Sequence, residues 1–227
     1  MKIVIVGSGG MVGQGVLQAA LADREVTDVI LLVRNLPAGP LDPRIHCVVS
    51  QDFMTFDAAG PLFDNVNGCF FCVGIGSTGV SEAAYRRVTY DMTLQIAQQL
   101  KARSPQMTFI YVSGAGADSS GNSAQMWARV RGETENALQQ LFPGRVAIFR
   151  PAFILPTPGV QSRTPAYRLL YNVIAPLMRL ISAATGKRFL SIVDIGNAML
   201  NITRDGTHKV IMTRADIIAC ADRKRTR

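Results

Sequence analysis

The chain has 227 residues, of which 48% are hydrophobic, and its formal net charge is +8 at pH 7. This length and apolar content are enough to bury the core of one domain with an elaborated carboxyl end. The positive charge is dispersed except for a terminal cluster at residues 223–227, and no basic surface interleaved with aromatic residues is present. The composition therefore argues against a nucleic-acid-binding protein.

The few cysteines and histidines argue against a metal or redox site. Cys69 and Cys72 have the spacing of a redox motif, but they lie in an apolar strand pattern that would point them to opposite faces. The two histidines are too few for a histidine-rich metal site, and no other ligand spacing is present. Reduced, buried thiols and no secretory apolar segment at the start predict a cytoplasmic protein without a metal.

The first predicted element is a short apolar strand that runs directly into a glycine-rich turn and a helix. Residues 3–6 are followed by glycines and then by a helical pattern over 11–22. In such a turn the free N–H groups and the positive end of the helix dipole face a phosphate, and glycine lets the backbone approach it. This pattern predicts a pyrophosphate site rather than merely a tight turn. The residues expected to contact the pyrophosphate are Gly7, Ser8, Gly10, Met11, Val12 and Gly13.

Strand-like and helical patterns alternate along the next part of the chain. Further strands are expected at residues 28–33, 45–49, 68–73, 107–112 and 145–149, and further helices at 82–101 and 124–141. The strands are apolar on both faces, as in a parallel sheet covered by helices. The pattern predicts an α/β fold with a doubly wound parallel sheet, a Rossmann fold, whose ligand lies beyond the carboxyl ends of the strands.

Beyond Pro151 the alternation stops, and the segment 165–183 is strongly apolar with a helical stripe. We consider a helix packed on the domain, a lid over a substrate pocket, and peripheral membrane contact; two arginines and a proline argue against a membrane span. A helix at 194–203, then a strand and a short helix within 210–220, close the fold. We therefore expect a dinucleotide-binding core over 1–155, with 156–227 as a small cap and closing elements of the same domain.

An arginine at the end of the second strand favours NADP over NAD. Arg34 stands where an acidic residue would hold the adenosine ribose diol of NAD. A guanidinium can instead pair with a 2′-phosphate in a charge-assisted contact. The alternative is an ordinary solvated residue at a strand end. The glycine spacing also departs from the simplest NAD fingerprint, G-x-G-x-x-G.

These features resemble the short-chain dehydrogenase/reductase superfamily, in its atypical branch of NAD-dependent epimerase/dehydratase-like and Tat-interacting-protein-like oxidoreductases. Beyond the glycine turn, the resemblance rests on the segments 72–74 (Cys-Val-Gly), 111–115 (Tyr-Val-Ser-Gly-Ala) and 149–155 (Phe-Arg-Pro-Ala-Phe-Ile-Leu). It covers about residues 1–155.

The resemblance implies roles for residues at four strand ends. Ser113 would be the active-site serine that orients a substrate carbonyl. The residues expected to line the adenosine and ribose are Cys72, Val73 and Gly74, those near the adenine are Asp52 and Phe53, and those at the nicotinamide end are Pro151, Phe153 and Ile154.

The chain departs from the superfamily pattern at the Tyr-x-x-x-Lys pair that completes the site. Trp127 aligns with the tyrosine and Arg131 with the lysine. Arg131 can still donate to ribose hydroxyls and attract phosphate, but the indole of Trp127 does not ionise and cannot act as a general acid. The alternative interpretation is that Trp127 only packs against the sheet. In an active enzyme, Tyr167, Tyr171 or a water would then supply the proton.

Two functions therefore remain open. The first is an NADP(H)-binding oxidoreductase-like protein that acts on a small carbonyl or alcohol in an apolar pocket. The second is a nonenzymatic NADP-binding regulatory or interaction protein. The sequence makes no prediction of oligomeric state.

Overall fold

The computed structural model describes residues 1–157 and 189–223. Within them, seven strands form one parallel sheet in the order β3-β2-β1-β4-β5-β6-β7. The strands are β1 (Lys2–Val6), β2 (Asp28–Val33), β3 (Ile45–Val49), β4 (Gly68–Phe71), β5 (Thr108–Val112), β6 (Val146–Arg150) and β7 (Ile211–Thr213). The winding reverses between β1 and β4, which creates the crevice where doubly wound folds bind ligands. The predicted Rossmann fold is confirmed.

Helices cover both faces of this sheet. They are α1 (Met11–Ala22), α2 (Glu82–Arg86), α3 (Met92–Arg103), α4 (Met126–Leu141), α5 (Ile192–Asp205) and α6 (Arg214–Ala221). In β1, Ile3 and Ile5 pack in the core with α1 and α5, while Val4 and Val6 pack in the opposite core with α3 and α4. All four side chains are fully buried, which explains why the strand is apolar on both faces.

Helices α1 and α5 cross at a point where their backbones come unusually close. A Cβ atom placed on Gly15 would lie 2.4 Å from the Cβ of Ile192, and one on Gly196 would lie 2.5 Å from the Cβ of Ala19. Since real side chains do not approach so closely, the crossing needs both glycines. The helix that follows the glycine turn is thus held by a helix from the other end of the chain.

The predicted helix over 82–101 is wrong as one continuous element. A π-helical turn, Arg87–Asp91, separates α2 from α3 and inserts an extra residue per turn, which rotates the side chains that follow. A regular helix would place Val88 and Met92 on the inner face with Tyr85, Ile96 and Leu100. In the structure Val88 and Met92 are only partly buried, and Thr89 and Thr93 are buried instead. The Thr93 hydroxyl donates to the Thr89 carbonyl at 2.7 Å, which satisfies both groups in the core.

The remaining element predictions agree closely with the structure. Strand β4 ends at Phe71, two residues before the predicted end, and the bounds of the other predicted strands differ by at most one residue. The closing helix, strand and short helix are present as α5, β7 and α6.

Most of the predicted cap lies outside the described residues. Residues 158–188, with the apolar stripe and both candidate proton donors Tyr167 and Tyr171, belong to that part, so the cap and the division at residue 155 stay predictions. In residues 1–157 and 189–223, no helix has the length and apolar character needed to cross a membrane.

Candidate functional site

The turn between β1 and α1 is built on two glycines that touch. Gly7 has a φ of +88°, a left-handed conformation that side chains rarely adopt. A Cβ atom on Gly13 would lie 2.1 Å from the Gly7 carbonyl oxygen, so no larger residue fits there. The Gly10 N–H donates to the same carbonyl at 3.0 Å and closes the turn.

The amino end of α1 has no side-chain cap. Its first residue follows Gly10, which offers no side chain, and its first turn holds no acidic residue. By contrast, α5 and α6 both begin with a reciprocal capping box, formed by Ser191 with Asp194 and by Thr213 with Asp216. The first N–H groups of an α-helix have no partner within the helix, so those of α1 are available to an anion.

The end of β4 lies against this turn. The Cys72 N–H donates to the Val6 carbonyl at 2.8 Å, and a Cβ atom on Gly7 would lie 2.9 Å from Val73 Cγ2. The structure therefore brings together the glycine turn and the segment 72–74, as the sequence predicts.

The thiols near this edge are inert rather than redox-active. Burial raises the pKa of Cys72 to about 12 and raises that of Cys69 well above its usual range. Because the thiolate is the reactive form, both thiols stay protonated at neutral pH. This agrees with the interpretation of the pair as structural cysteines.

Arg34 and Asp52 stand at neighbouring strand ends on the β2–β3 side. The Arg34 side chain is exposed, and its carbonyl accepts a 2.8 Å hydrogen bond from the Gln51 side chain. The Asp52 carboxylate accepts from the Met54 N–H at 2.9 Å and lies 3.9 Å from an Arg87 guanidinium nitrogen. Phe53, predicted near the adenine, is buried in the core beneath them.

Ser113 belongs to a buried polar network at the end of β5. Its hydroxyl donates to Glu135 Oε1 of α4 at 2.5 Å. Glu135 is completely buried, and it also accepts from the Ser119 hydroxyl at 3.2 Å and from the Arg150 guanidinium. The single proton of Ser113 is thus directed into the protein, and the hydroxyl offers a ligand only its lone pairs.

Sequence reasoning missed Glu135 and the role of Arg150. Arg150 stands in one of the segments that carried the resemblance, and Glu135 follows Arg131 by one helical turn, but neither was assigned a role. The available signal was an acidic residue in line with buried positions, since Ala128 and Leu138 of α4 share a face with Glu135. A charge on the apolar face of a helix requires a buried partner.

Arg131 lies one turn before Glu135, at the carboxyl edge between β4 and β5. Its Nε donates to the Tyr85 hydroxyl at 2.9 Å, and Nη1 lies 3.4 Å from the Val112 carbonyl oxygen. Burial acts to lower the pKa of Arg131, but Tyr111, Tyr85 and Glu135 outweigh it, so the pKa is raised and the guanidinium is charged.

The indole N–H of Trp127, the residue predicted to replace the catalytic tyrosine, is not bonded to Ser113. It donates to the Gln125 side chain at 2.5 Å. The edge of the ring packs on the loop between β5 and α4, where a Cβ atom on Gly116 would lie 3.2 Å from Cη2 of the ring. Trp127 thus packs on this loop, and its packing against the sheet stays a prediction.

The segment after β6 reaches the same edge. The Pro151 carbonyl accepts from the Ala115 N–H at 3.1 Å, which joins this segment to the loop after β5. Ile154 is buried, and Phe153 is partly exposed. In the described ranges, 1–157 and 189–223, no group of three or more His, Cys, Asp and Glu residues could hold a metal ion.

Comparison with known sequences finds relatives over about two thirds of the chain. No protein-family model matches. The chain is 28% identical to Protein HTATIP2 of Rattus norvegicus over 157 residues, which is 68% of this chain and 63% of that protein. It is 23% identical to Protein fmp52, mitochondrial, of Emericella nidulans over 159 residues, 67% of this chain and 66% of the relative. The match thus spans slightly less than two thirds of each relative. The predicted cytoplasmic location stays a prediction.

Comparison with solved structures finds the same fold. The Bordetella bronchiseptica enzyme WbmF in complex with NAD+ has a TM-score of 0.65 at 18% identity, covering 97% of this chain and 76% of its own. The UDP-glucuronic acid 4-epimerase of Bacillus cereus in complex with NAD also has a TM-score of 0.65, at 14% identity, covering 96% and 81%. The sheet order and the glycine turn agree with this fold, and the relatives above support the resemblance to atypical short-chain dehydrogenase/reductase proteins that the strand-end segments predicted.

Proposed function

We propose that the chain binds a nicotinamide dinucleotide at the carboxyl edge of its sheet, with NADP(H) preferred over NAD(H). The observation that carries this proposal is the contact between Gly7 and Gly13 beneath the uncapped end of α1. That cradle has room for phosphate oxygens where side chains would stand, and its N–H groups point at them.

The rest of the cofactor path follows the strand ends. Cys72, Val73 and Gly74 lie along the ribose, Asp52 and Phe53 near the adenine, and Pro151, Phe153 and Ile154 at the nicotinamide end. The contacts of Val73 with Gly7 and of Pro151 with the loop after β5 support one continuous groove. Two proteins of the same fold are described as complexes with NAD or NAD+, which supports the choice of ligand.

Arg34 carries the preference for NADP(H). Its exposed guanidinium stands at the end of β2, and no ion pair engages it within the described part of the chain. A 2′-phosphate would supply the anion that the NAD ribose lacks.

The reaction proposed for this site is a slow oxidation or reduction of a small carbonyl or alcohol. The nicotinamide ring supplies or accepts the hydride when the cofactor is bound. One N–H of the Arg131 guanidinium donates to the nicotinamide ribose, which leaves its other terminal N–H groups to the substrate. Ser113 accepts a hydrogen bond from an alcohol substrate, because its own hydroxyl proton is donated to Glu135. Trp127 provides no proton, so general acid help comes from elsewhere or is absent.

A nonenzymatic NADP-binding protein is the second candidate. The observation that favours it is the indole N–H of Trp127, which is bonded to Gln125 on the loop instead of facing the Ser113 side. In this function, occupancy of the groove is communicated to a partner, and no turnover follows.

Titration of wild type and two variants with NADP+, NADPH, NAD+ and NADH tests the cofactor proposal. Arg34→Ala removes one charge-assisted contact worth roughly 1.5–3 kcal/mol, so affinity for NADP(H) should fall about ten- to a hundredfold while that for NAD(H) is unchanged. Arg24→Ala is the control, since Arg24 is also exposed but follows the carboxyl end of α1. Equal wild-type affinities for NAD and NADP would reject the role of Arg34, and no dinucleotide binding would reject the function.

A further inference from the structure

Arg131 is a partly buried cation, and within residues 1–157 and 189–223 no carboxylate pairs with it directly. Its hydrogen bonds in these ranges go to the Tyr85 hydroxyl and, at 3.4 Å, to the Val112 carbonyl. Residues 158–188 contain no Asp or Glu in their sequence, so that segment has no side-chain carboxylate to offer. A partly buried guanidinium without a direct carboxylate partner favours an anion from outside the chain.

Neighbouring arginines of this region all have carboxylate partners. Arg129, on the same helix, contacts Glu82 at 2.8 Å, and Arg86 pairs with Glu133. Glu135, the acidic residue one turn beyond Arg131, is already engaged by Arg150. The lack of a partner is therefore specific to Arg131 and is not a general property of α4.

The free atoms of Arg131 face the carboxyl edge of the sheet. A Cβ atom placed on Gly74 would lie 3.4 Å from Nη2, and one on Gly114 would lie 4.0 Å from Nη1. The guanidinium thus stands between the ends of β4 and β5, where both neighbours are glycines. Because Tyr85 fixes Nε, the two terminal nitrogens remain for a planar, bidentate oxyanion.

We propose that Arg131 binds the carboxylate of the substrate, which makes the substrate a small organic acid. This inference rests on the proposed function, since it assigns the dinucleotide to the groove beside Arg131. Ribose hydroxyls are neutral and leave the guanidinium charge uncompensated. The pyrophosphate belongs to the glycine turn and the 2′-phosphate to Arg34, which stands at the end of β2, separated from β5 by β1 and β4.

The test compares pentanoate with pentanamide, which have similar shapes and differ in charge. Each is titrated by NMR against wild type, Arg131→Gln, Arg131→Lys and the control Arg129→Gln, with and without saturating NADP+. Wild type and Arg129→Gln should bind pentanoate and discriminate against pentanamide. Arg131→Gln should weaken pentanoate binding by at least about tenfold, and Arg131→Lys should keep the discrimination with lower affinity.

Two failures can be told apart in this experiment. If NADP+ binds and wild type does not distinguish pentanoate from pentanamide, the carboxylate site is rejected while the proposed function stands. Equal binding of pentanoate by wild type and Arg131→Gln rejects it as well. If no dinucleotide binds, the proposed function fails, and the titration without NADP+ still decides whether Arg131 binds carboxylates. If the glutamine variant does not fold, Arg131→Lys decides: a lower pentanoate affinity in Arg131→Lys than in the control Arg129→Gln supports the site, and equal affinities in wild type and both of these variants reject it.

Discussion

Glu135 and Arg131 lie one turn apart on α4, and both carry a charge, but their surroundings differ. Glu135 is completely buried, accepts hydrogen bonds from Ser113, Ser119 and Arg150, and has its charge balanced inside the protein. Arg131 is partly buried, and in the part of the chain that the structure describes its partners are a phenol and a backbone carbonyl, with no carboxylate.

The contrast between Glu135 and Arg131 distinguishes residues that stabilise the site from residues that are available to a ligand. The Glu135 network ties the loop after β5 to α4 and β6, so it is complete in the absence of ligand. The turn with Trp127 and Arg131 faces the edge of the sheet and leaves its interactions to a ligand. The stability of the protein should therefore depend on the turn of α4 that carries Glu135, and ligand binding on the turn that carries Trp127 and Arg131.

The largest expected effect comes from removing the buried carboxylate. Glu135→Ala leaves Arg150 without its partner, so the free energy of unfolding should fall by about 3–5 kcal/mol. The matched control is Glu133→Ala, because Glu133 pairs with Arg86 on the surface, with 48% of its side chain exposed. That change should cost about 0–1 kcal/mol. Urea denaturation measures both, and similar losses would remove the distinction between the two ion pairs.

The second prediction concerns catalysis at the turn of α4 that carries Trp127 and Arg131. Trp127→Tyr places a phenol four residues before Arg131 and should raise NADPH turnover with a simple ketone by up to about a hundredfold. Trp127→Phe removes the indole N–H and should leave turnover unchanged, because that N–H is bonded to Gln125. A robust wild-type reductase that loses its activity in Trp127→Phe would show that the indole takes part in catalysis.

The smallest expected effect is the change in stability when the Arg131 charge is removed. Arg131→Met removes a cation that has no internal counter-ion, so without ligand the free energy of unfolding should stay within about 1 kcal/mol of wild type. If Arg131→Met lowered the free energy of unfolding as much as Glu135→Ala, the Arg131 charge would be stabilised inside the protein. The turns that carry Arg131 and Glu135 would then not differ in their contribution to stability.

The sequence predicted the parts of the fold that depend on local patterns. The strand at 2–6 and helix α1 have the expected bounds because buried strands, glycine turns and helices leave short-range signals. The turn geometry at Gly7 and Gly13 follows from the same signal.

Features that depend on contacts between distant residues were not predictable in this way. The π-helical turn exchanged Val88 and Met92 for Thr89 and Thr93, whose hydrogen bond is formed only in the folded helix. Glu135 of α4 pairs with Arg150 at the end of β6, and a single sequence does not show that pairing. Likewise, only the fold shows that Arg131 has no carboxylate partner within residues 1–157 and 189–223.

The glycine crossing of α1 with α5 has a consequence for the biogenesis of the protein. A nascent chain that already contains the phosphate-binding turn, but not yet residues 192–205, leaves the inner face of α1 in water. Contacts between residues so far apart in sequence form late, because a long stretch of chain must first be ordered. Helix α1 therefore gains its contacts with α5 only after residues 192–205 have been synthesised, and a chain that stops before Ile192 would leave the side of α1 that faces α5 uncovered.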